Sequence, residues 1–279
     1  MSRKRLLLFG VTLIIVILLV PAPARFSTLL LGIAIGGTVF LPRTKLQRAI
    51  GIFICFCLFF ASGMLMIGDI ILNNLAAAPT HHWEAPAELV GLGGQQITLY
   101  APEKATTFTV CYWLENGALL AAAHNLSGFV PAGVPVHLGP PAPEAESVSA
   151  KVLANSDDGL ALGLPSDYAP PTTPYPIGAT ADLIADTEAE IISDRGGSFP
   201  VTIRGFLNLS NQSIMLIESL NAYDIFIPGM SGSPVVQDGK IIGFMVGSFR
   251  GNKNVAFCRL AAELYASNLA AMQEYDPDR

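Results

Sequence analysis

A serine set between glycines, Gly229-Met230-Ser231-Gly232-Ser233-Pro234, carries the clearest chemistry in the chain. A serine hydroxyl is a weak nucleophile until a base takes its proton and donors hold the charge that develops on the attacked carbonyl. Glycine on either side lets the backbone adopt positive φ and brings amide N–H groups close to a reacting group. On this reading Ser231 is a nucleophile, and the N–H groups of Gly229 and Ser231 form an oxyanion pocket. Val235-Val236, the turn Asp238-Gly239 and Ile241-Ile242 then read as a buried hairpin. The string alone fits a surface turn equally well, so its weight depends on a base elsewhere.

His124 is the candidate base. It follows Ala121-Ala122-Ala123, small residues that let a strand end pack closely behind it, and so belongs at the rim of a barrel facing a cleft. The candidate acid is Asp158. In Asp158, Leu160, Leu162 and Leu164 alternate residues share one face, so Asp158 stands at the end of an inward-facing row where a carboxylate can orient an imidazole. Asp157 points the other way and reads as a turn residue.

Short alternating segments must position these groups. Strands are expected at Gln96–Tyr100, Thr106–Trp113, Ala118–Ala122, around Val136-His137-Leu138, at Val148–Ala154 and at Leu160–Leu164, with a turn at Glu115-Asn116-Gly117. A second set is expected at Leu183–Ile192, Val201–Phe206 and Ser213–Ile217, with Ala261–Met272 as a closing helix. Short strands at this spacing, in a chain with 20 prolines, argue for an all-β barrel or sandwich.

Leu119–His124, Asp158–Leu162 and Gly229–Gly243, in the order His, Asp, Ser, together resemble trypsin-like (chymotrypsin-fold) serine peptidases. The segment from Asp158 departs from their pattern by one extra residue. The Gly229–Gly243 stretch is most similar to the stage IV sporulation protein B peptidase family. The likeness covers about residues 88–270 and implies a mainly β, chymotrypsin-like double β-barrel with its active site between the barrels. It implies Ser231 as nucleophile, His124 as general base and Asp158 as acid. Glu218 and then Asp224 are alternative acids, because the sporulation peptidases place an acidic residue shortly before the nucleophile. It also implies that Val246, Gly247 and Ser248 pair with substrate as an added strand. Ile225 would floor a pocket favouring an apolar side chain, unless Asp224 beside it reverses that preference. The chain departs from the sporulation peptidases in having no room for their peptide-binding domain and in having more apolar runs than their single anchor.

Those runs lie in the first quarter of a 279-residue chain that is 51% hydrophobic. Leu6–Val20, Phe26–Leu41 and Ile50–Leu72 read as two or three transmembrane helices within a membrane anchor, residues 1–72. Arg3, Lys4 and Arg5 precede the first run and Arg43, Lys45 and Arg48 precede the third, whereas only Arg25 lies between the first two. This bias puts the N-terminus and the loop at 42–48 in the cytoplasm and everything after Leu72 outside the cell membrane. Residues 73–87 read as a linker and 88–279 as the peptidase domain. From residue 73 on, nine Lys and Arg face 21 Asp and Glu, a net charge of −12, which argues against a nucleic-acid partner. The four cysteines show no metal-ligand spacing, so neither a metal nor another cofactor is expected; a Cys111–Cys258 disulfide is left open. The expected partners are a protein or peptide substrate and the lipid bilayer. Two functions compete: a membrane-anchored serine endopeptidase acting outside the cytoplasmic membrane, and a catalytically inactive, protease-like binding module on the same anchor.

Overall fold

The computed structural model describes residues 71, 74–101, 104–121, 132–133, 135–139, 148–156, 159–167, 173–221, 223, 225–249 and 252–276. The anchor runs fall outside the described residues apart from Ile71. Among the described residues no helix is long and apolar enough to cross a membrane. A compact unit runs from Leu75 to Arg279.

The first half forms one antiparallel sheet from β1 (Val90–Leu92), β2 (Gln96–Ala101), β3 (Lys104–Trp113), β4 (Ala118–Ala121), β5 (Pro135–Gly139), β6 (Val148–Ser156), β7 (Gly159–Gly163) and β8 (Pro174–Tyr175). Its order is β2-β5-β6-β7-β4-β3, and β3 pairs back onto β2, so six strands close a barrel; β1 and β8 extend from β3. The second half closes another barrel from β9 (Glu188–Ile191), β10 (Phe199–Asn208), β11 (Ser213–Ser219), β12 (Pro234–Gln237), β13 (Lys240–Ser248) and β14 (Val255–Leu260). Its order is β10-β11-β14-β13-β12-β9. The expected double-barrel architecture is therefore the one observed. The turns follow local chemistry: Gly117 has φ +79°, and Asp238 and Gly239 both have positive φ, as a tight two-residue hairpin requires.

Strands next to the seam are buried on both faces, which is why β4 and β7 read as unbroken apolar runs. Leu119, Ala121, Leu160, Leu162 and Leu164 fill the first barrel. Ala118, Leu120 and Ala161, from the opposite faces of the same strands, enter the seam between barrels. The inward row of leucines expected after Asp158 is present, while Asp158 itself lies outside the described residues. The closing helix, α1 (Ala261–Gln273), packs against β6 and β7 of one barrel and β13 and β14 of the other, so it closes both. Arg259 at the end of β14 reaches Glu263 in its first turn at 2.9 Å, a pair almost wholly buried.

Two expectations change, and the disulfide left open is settled. The strand foreseen over Leu183–Ile192 is only Glu188–Ile191; Thr180–Asp182 forms a 3-10 turn, and Asp186 at φ +61° breaks the extended chain. The segment read as a linker is strapped to the second barrel. Ala76 bridges Phe206, Ala185 N–H donates to Ala77 O at 2.8 Å, and the Asn208 side chain takes Thr80 N–H and donates to Ala78 O. Cys111 and Cys258 are free thiols: Cys111 faces the seam and Cys258 the core of the second barrel, so each lines a different cluster. Burial raises both thiol pKa values far above the ordinary range.

Tyr112 of β3 holds the seam. Its ring lies 5.4 Å from Phe244 of β13 and 5.9 Å from Tyr265 of α1, centroid to centroid, and it is fully buried. Burial, with smaller contributions from Cys111 and Tyr265, pushes its phenol pKa well up. Tyr112→Ala should destabilise the domain by about 3–5 kcal/mol, the usual cost of emptying an aromatic site, measured as a lower urea midpoint at an unchanged slope.

Candidate functional site

Ser231 sits in the loop between β11 and β12, which starts from the second barrel but is held from both. Met230 is the plug. Its side chain is buried in the core of the second barrel, and Gly196 makes room for it, since a Cβ there would meet Met230 Sδ at 2.5 Å. The backbone then takes two turns. Gly229 has φ +97° and Gly232 has φ +104°, so both glycines flanking the serine are required by conformation. Gly232 is required twice, because a Cβ there would collide with the Thr109 carbonyl.

The amides of three loop residues are used internally. Met230 N–H donates to Ile227 O at 3.2 Å, Gly232 N–H to Met245 O at 2.7 Å, and Ser233 N–H to Met230 O at 2.9 Å. None of those three is therefore a donor for an incoming oxyanion. Met245 N–H returns a bond to Ser233 O at 2.9 Å, tying the loop to β13.

The other side of the loop is gripped by the first barrel. Thr109 of β3 donates its backbone N–H to Ser231 O at 3.2 Å and its hydroxyl to Gly229 O at 2.6 Å. Gln96 of β2 adds its Nε2 to Gly229 O at 3.4 Å. Neither residue was picked out from the sequence. Thr109 is a fully buried polar residue between Phe108 and Val110, and a hydroxyl in an apolar strand was the signal available.

Ser231 Oγ donates to Val246 O at 3.3 Å. Val246 is the extra residue of a bulge, since the β13–β14 register passes from Met245–Cys258 to Gly247–Phe257. Val246, Gly247 and Ser248 are half-buried. On one side Gly247 and Ser248 pair with β14, whereas β12 pairs with β13 only as far as Phe244, so among the described residues no strand covers the other side. A side chain at Gly247 would meet open space. Ile225 is half-buried beside Phe226, whose N–H donates to Lys253 O at 2.9 Å.

His124, Asp158 and Asp224 lie outside the described residues. Glu218 is described: it stands in the wall of the second barrel opposite Thr202 and Val255, with its carboxylate 3.1 Å from Arg204 Nε and both side chains well exposed.

No family model matches the chain, and no curated protein matches it. Among solved structures it is similar to the Rv3671c protease from M. tuberculosis in its active form, at 18% identity and a TM-score of 0.49, over 68% of this chain and 82% of that one. It is similar to the HtrA-type protease AlgW with a tripeptide, at 13% identity and a TM-score of 0.49, over 66% and 61% of the two chains. A serine endoprotease from Yersinia pestis is similar at 12% identity and a TM-score of 0.45, over 65% and 64%.

Thr109→Val removes the hydroxyl held by Gly229 O and keeps the β-branched shape. It should cost about 1–2 kcal/mol of stability, the range for a lost buried hydrogen bond, while Thr109→Ser should retain most of it, both read by urea unfolding.

Proposed function

We propose that this protein is a membrane-anchored serine endopeptidase that cleaves protein substrates outside the cytoplasmic membrane through an acyl-enzyme on Ser231. One observation carries the reading: the strand that leads to His124 lies beside the strand that grips the nucleophile loop, and the strand that Asp158 precedes lies beside it in turn. Ala121, the last residue of β4, pairs with Val110 of β3 and with Leu160 of β7. Val110 is next to Thr109, which bonds Ser231 O. His124 follows Ala121 by three residues, and Asp158 immediately precedes β7. Three residues reach at most about 10 Å, so the base need travel little from a strand end already beside the serine loop.

In the mechanism His124 takes the proton from Ser231 Oγ as that oxygen bonds to the scissile carbonyl carbon. The oxyanion that forms is held by the N–H groups of Gly229 and Ser231. The protonated imidazole then gives its proton to the leaving amine, the C–N bond breaks, and an ester remains on Ser231. Water, deprotonated by His124, releases the acid product. Asp158 orients the imidazole and stabilises its charged form. The open side of Val246, Gly247 and Ser248 receives the acyl side of the substrate as an added strand, and Ile225 floors the pocket for the residue before the cut. The charge bias of the N-terminal runs supports an extracytoplasmic domain. The likeness of Gly229–Gly243 to the sporulation peptidases supports a peptidase of that kind.

The competing reading, an inactive binding module, is separated by a fluorophosphonate probe on the full-length protein in detergent. Labelling of the wild type should vanish in Ser231→Ala and slow by roughly 10³-fold or more in His124→Ala, since the two residues act as a unit. Intact, folded wild type that takes up no probe would refute the peptidase and leave the binding module.

A further inference from the structure

We propose that Arg195 sets the substrate class: its guanidinium binds an acidic side chain on the leaving-group side of the scissile bond. The inference rests on Ser231 being the nucleophile. Arg195 lies in the connection between β9 and β10, and its side chain packs over the oxyanion glycine. A Cβ at Gly229 would meet Arg195 Cγ at 3.4 Å and Nε at 3.5 Å.

The backbone that presents this side chain is pinned on all sides. Ile192 N–H donates to Pro234 O at 2.9 Å, just after the nucleophile loop. Asp194 N–H donates to Gly94 O at 3.0 Å, in the connection between β1 and β2. Arg195 N–H donates to Ser193 Oγ at 3.3 Å, and Gly196 lies flat on Met230. A loop fixed to both barrels and to the plug of the serine loop presents Arg195 with little ordering cost on binding.

Arg195 is exposed, and among the described residues its guanidinium has no carboxylate partner; Asp194, its neighbour, does not pair with it, and the other ion pairs are Arg204–Glu218, Lys240–Asp182 and Arg259–Glu263. A planar fork of five donors suits a carboxylate. In a segment with a net charge of −12 from residue 73 on, a cation against the oxyanion glycine is a local attraction for an anionic group.

Direction follows from the loop. A substrate strand laid on Val246–Ser248 delivers its acyl side from the Val246 end, where Ser231 Oγ is bonded. Gly229 lies toward β2 and Arg195, so the chain continuing past the cut passes the guanidinium.

The test is a library of internally quenched peptides cut by the full-length protein in detergent. Wild type should favour Asp or Glu over Gln or Asn after the cut by about fivefold, the ceiling for one exposed ion pair, and the preference should shrink in 0.5 M NaCl. Arg195→Gln should bring that ratio to about one, and Arg195→Glu should shift it toward Lys and Arg by repulsion of the acidic peptides. A wild-type profile without acidic enrichment after the cut, or an Arg195→Glu profile identical to wild type, overturns this inference while fluorophosphonate labelling leaves Ser231 in its role. A wild type that neither labels nor cuts overturns both.

Discussion

The bonds from Thr109 to the serine loop are the constraint on which the site depends. The loop belongs to the second barrel by sequence, yet its Gly229 and Ser231 carbonyls are held by a residue of the first. The position of the Ser231 hydroxyl is therefore set by how the two barrels meet. Gly232 makes this contact achievable: its missing Cβ is what lets the loop backbone lie against the Thr109 carbonyl. The second flanking glycine of the motif is a packing requirement between barrels as much as a turn requirement.

That dependence explains the expense of the seam. Tyr112, Phe244 and Tyr265 bring one aromatic ring each from the first barrel, the second barrel and the helix. Strands β4 and β7 give one face to their own barrel and the other to the seam, so neither can move without disturbing two cores. Dense interiors transmit displacement rather than absorb it. The proposed mechanism needs that stiffness, because catalytic geometry fails with shifts of about 1 Å.

Features with local causes were legible in the sequence. Alternation and turn chemistry located most strands, and Glu115-Asn116-Gly117 and Asp238-Gly239 formed the turns their residues favour. The apolar count over Leu183–Ile192 misled because Leu183 does enter the core, but from a bent segment rather than a strand. The linker misled for the opposite reason. Apart from Leu75 and Trp83, residues 74–83 are small or polar, so nothing in them announces the bonds they make to Asn208 and Leu209, some 128 residues on. Thr109, Gln96 and Arg195 escaped notice likewise: each contacts a glycine, whose backbone offers no side-chain pattern to match. The oxyanion role expected of Gly229 and Ser231 is compatible with the loop's bonding, since the amides consumed internally are those of Met230, Gly232 and Ser233.

The choice of acid turns on where a carboxylate can act. A triad carboxylate works by being shielded from water and aimed at an imidazole nitrogen, so that its charge favours the imidazolium. Glu218 meets neither condition: its side chain and that of Arg204 are 37% and 49% exposed, and the carboxylate is engaged by the guanidinium. Using it would require breaking that pair and turning the side chain through the barrel wall, past the row of Met215 and Ile217 that fills the core. Ser156 pairs with Gly159, so Asp157 and Asp158 join β6 to β7, and β7 pairs with β4, whose last residue, Ala121, precedes His124 by three. Asp158 directly precedes the strand beside the one that leads to His124, which is why it, and not the acid nearer to Ser231 in sequence, is the orienting group in the proposed mechanism.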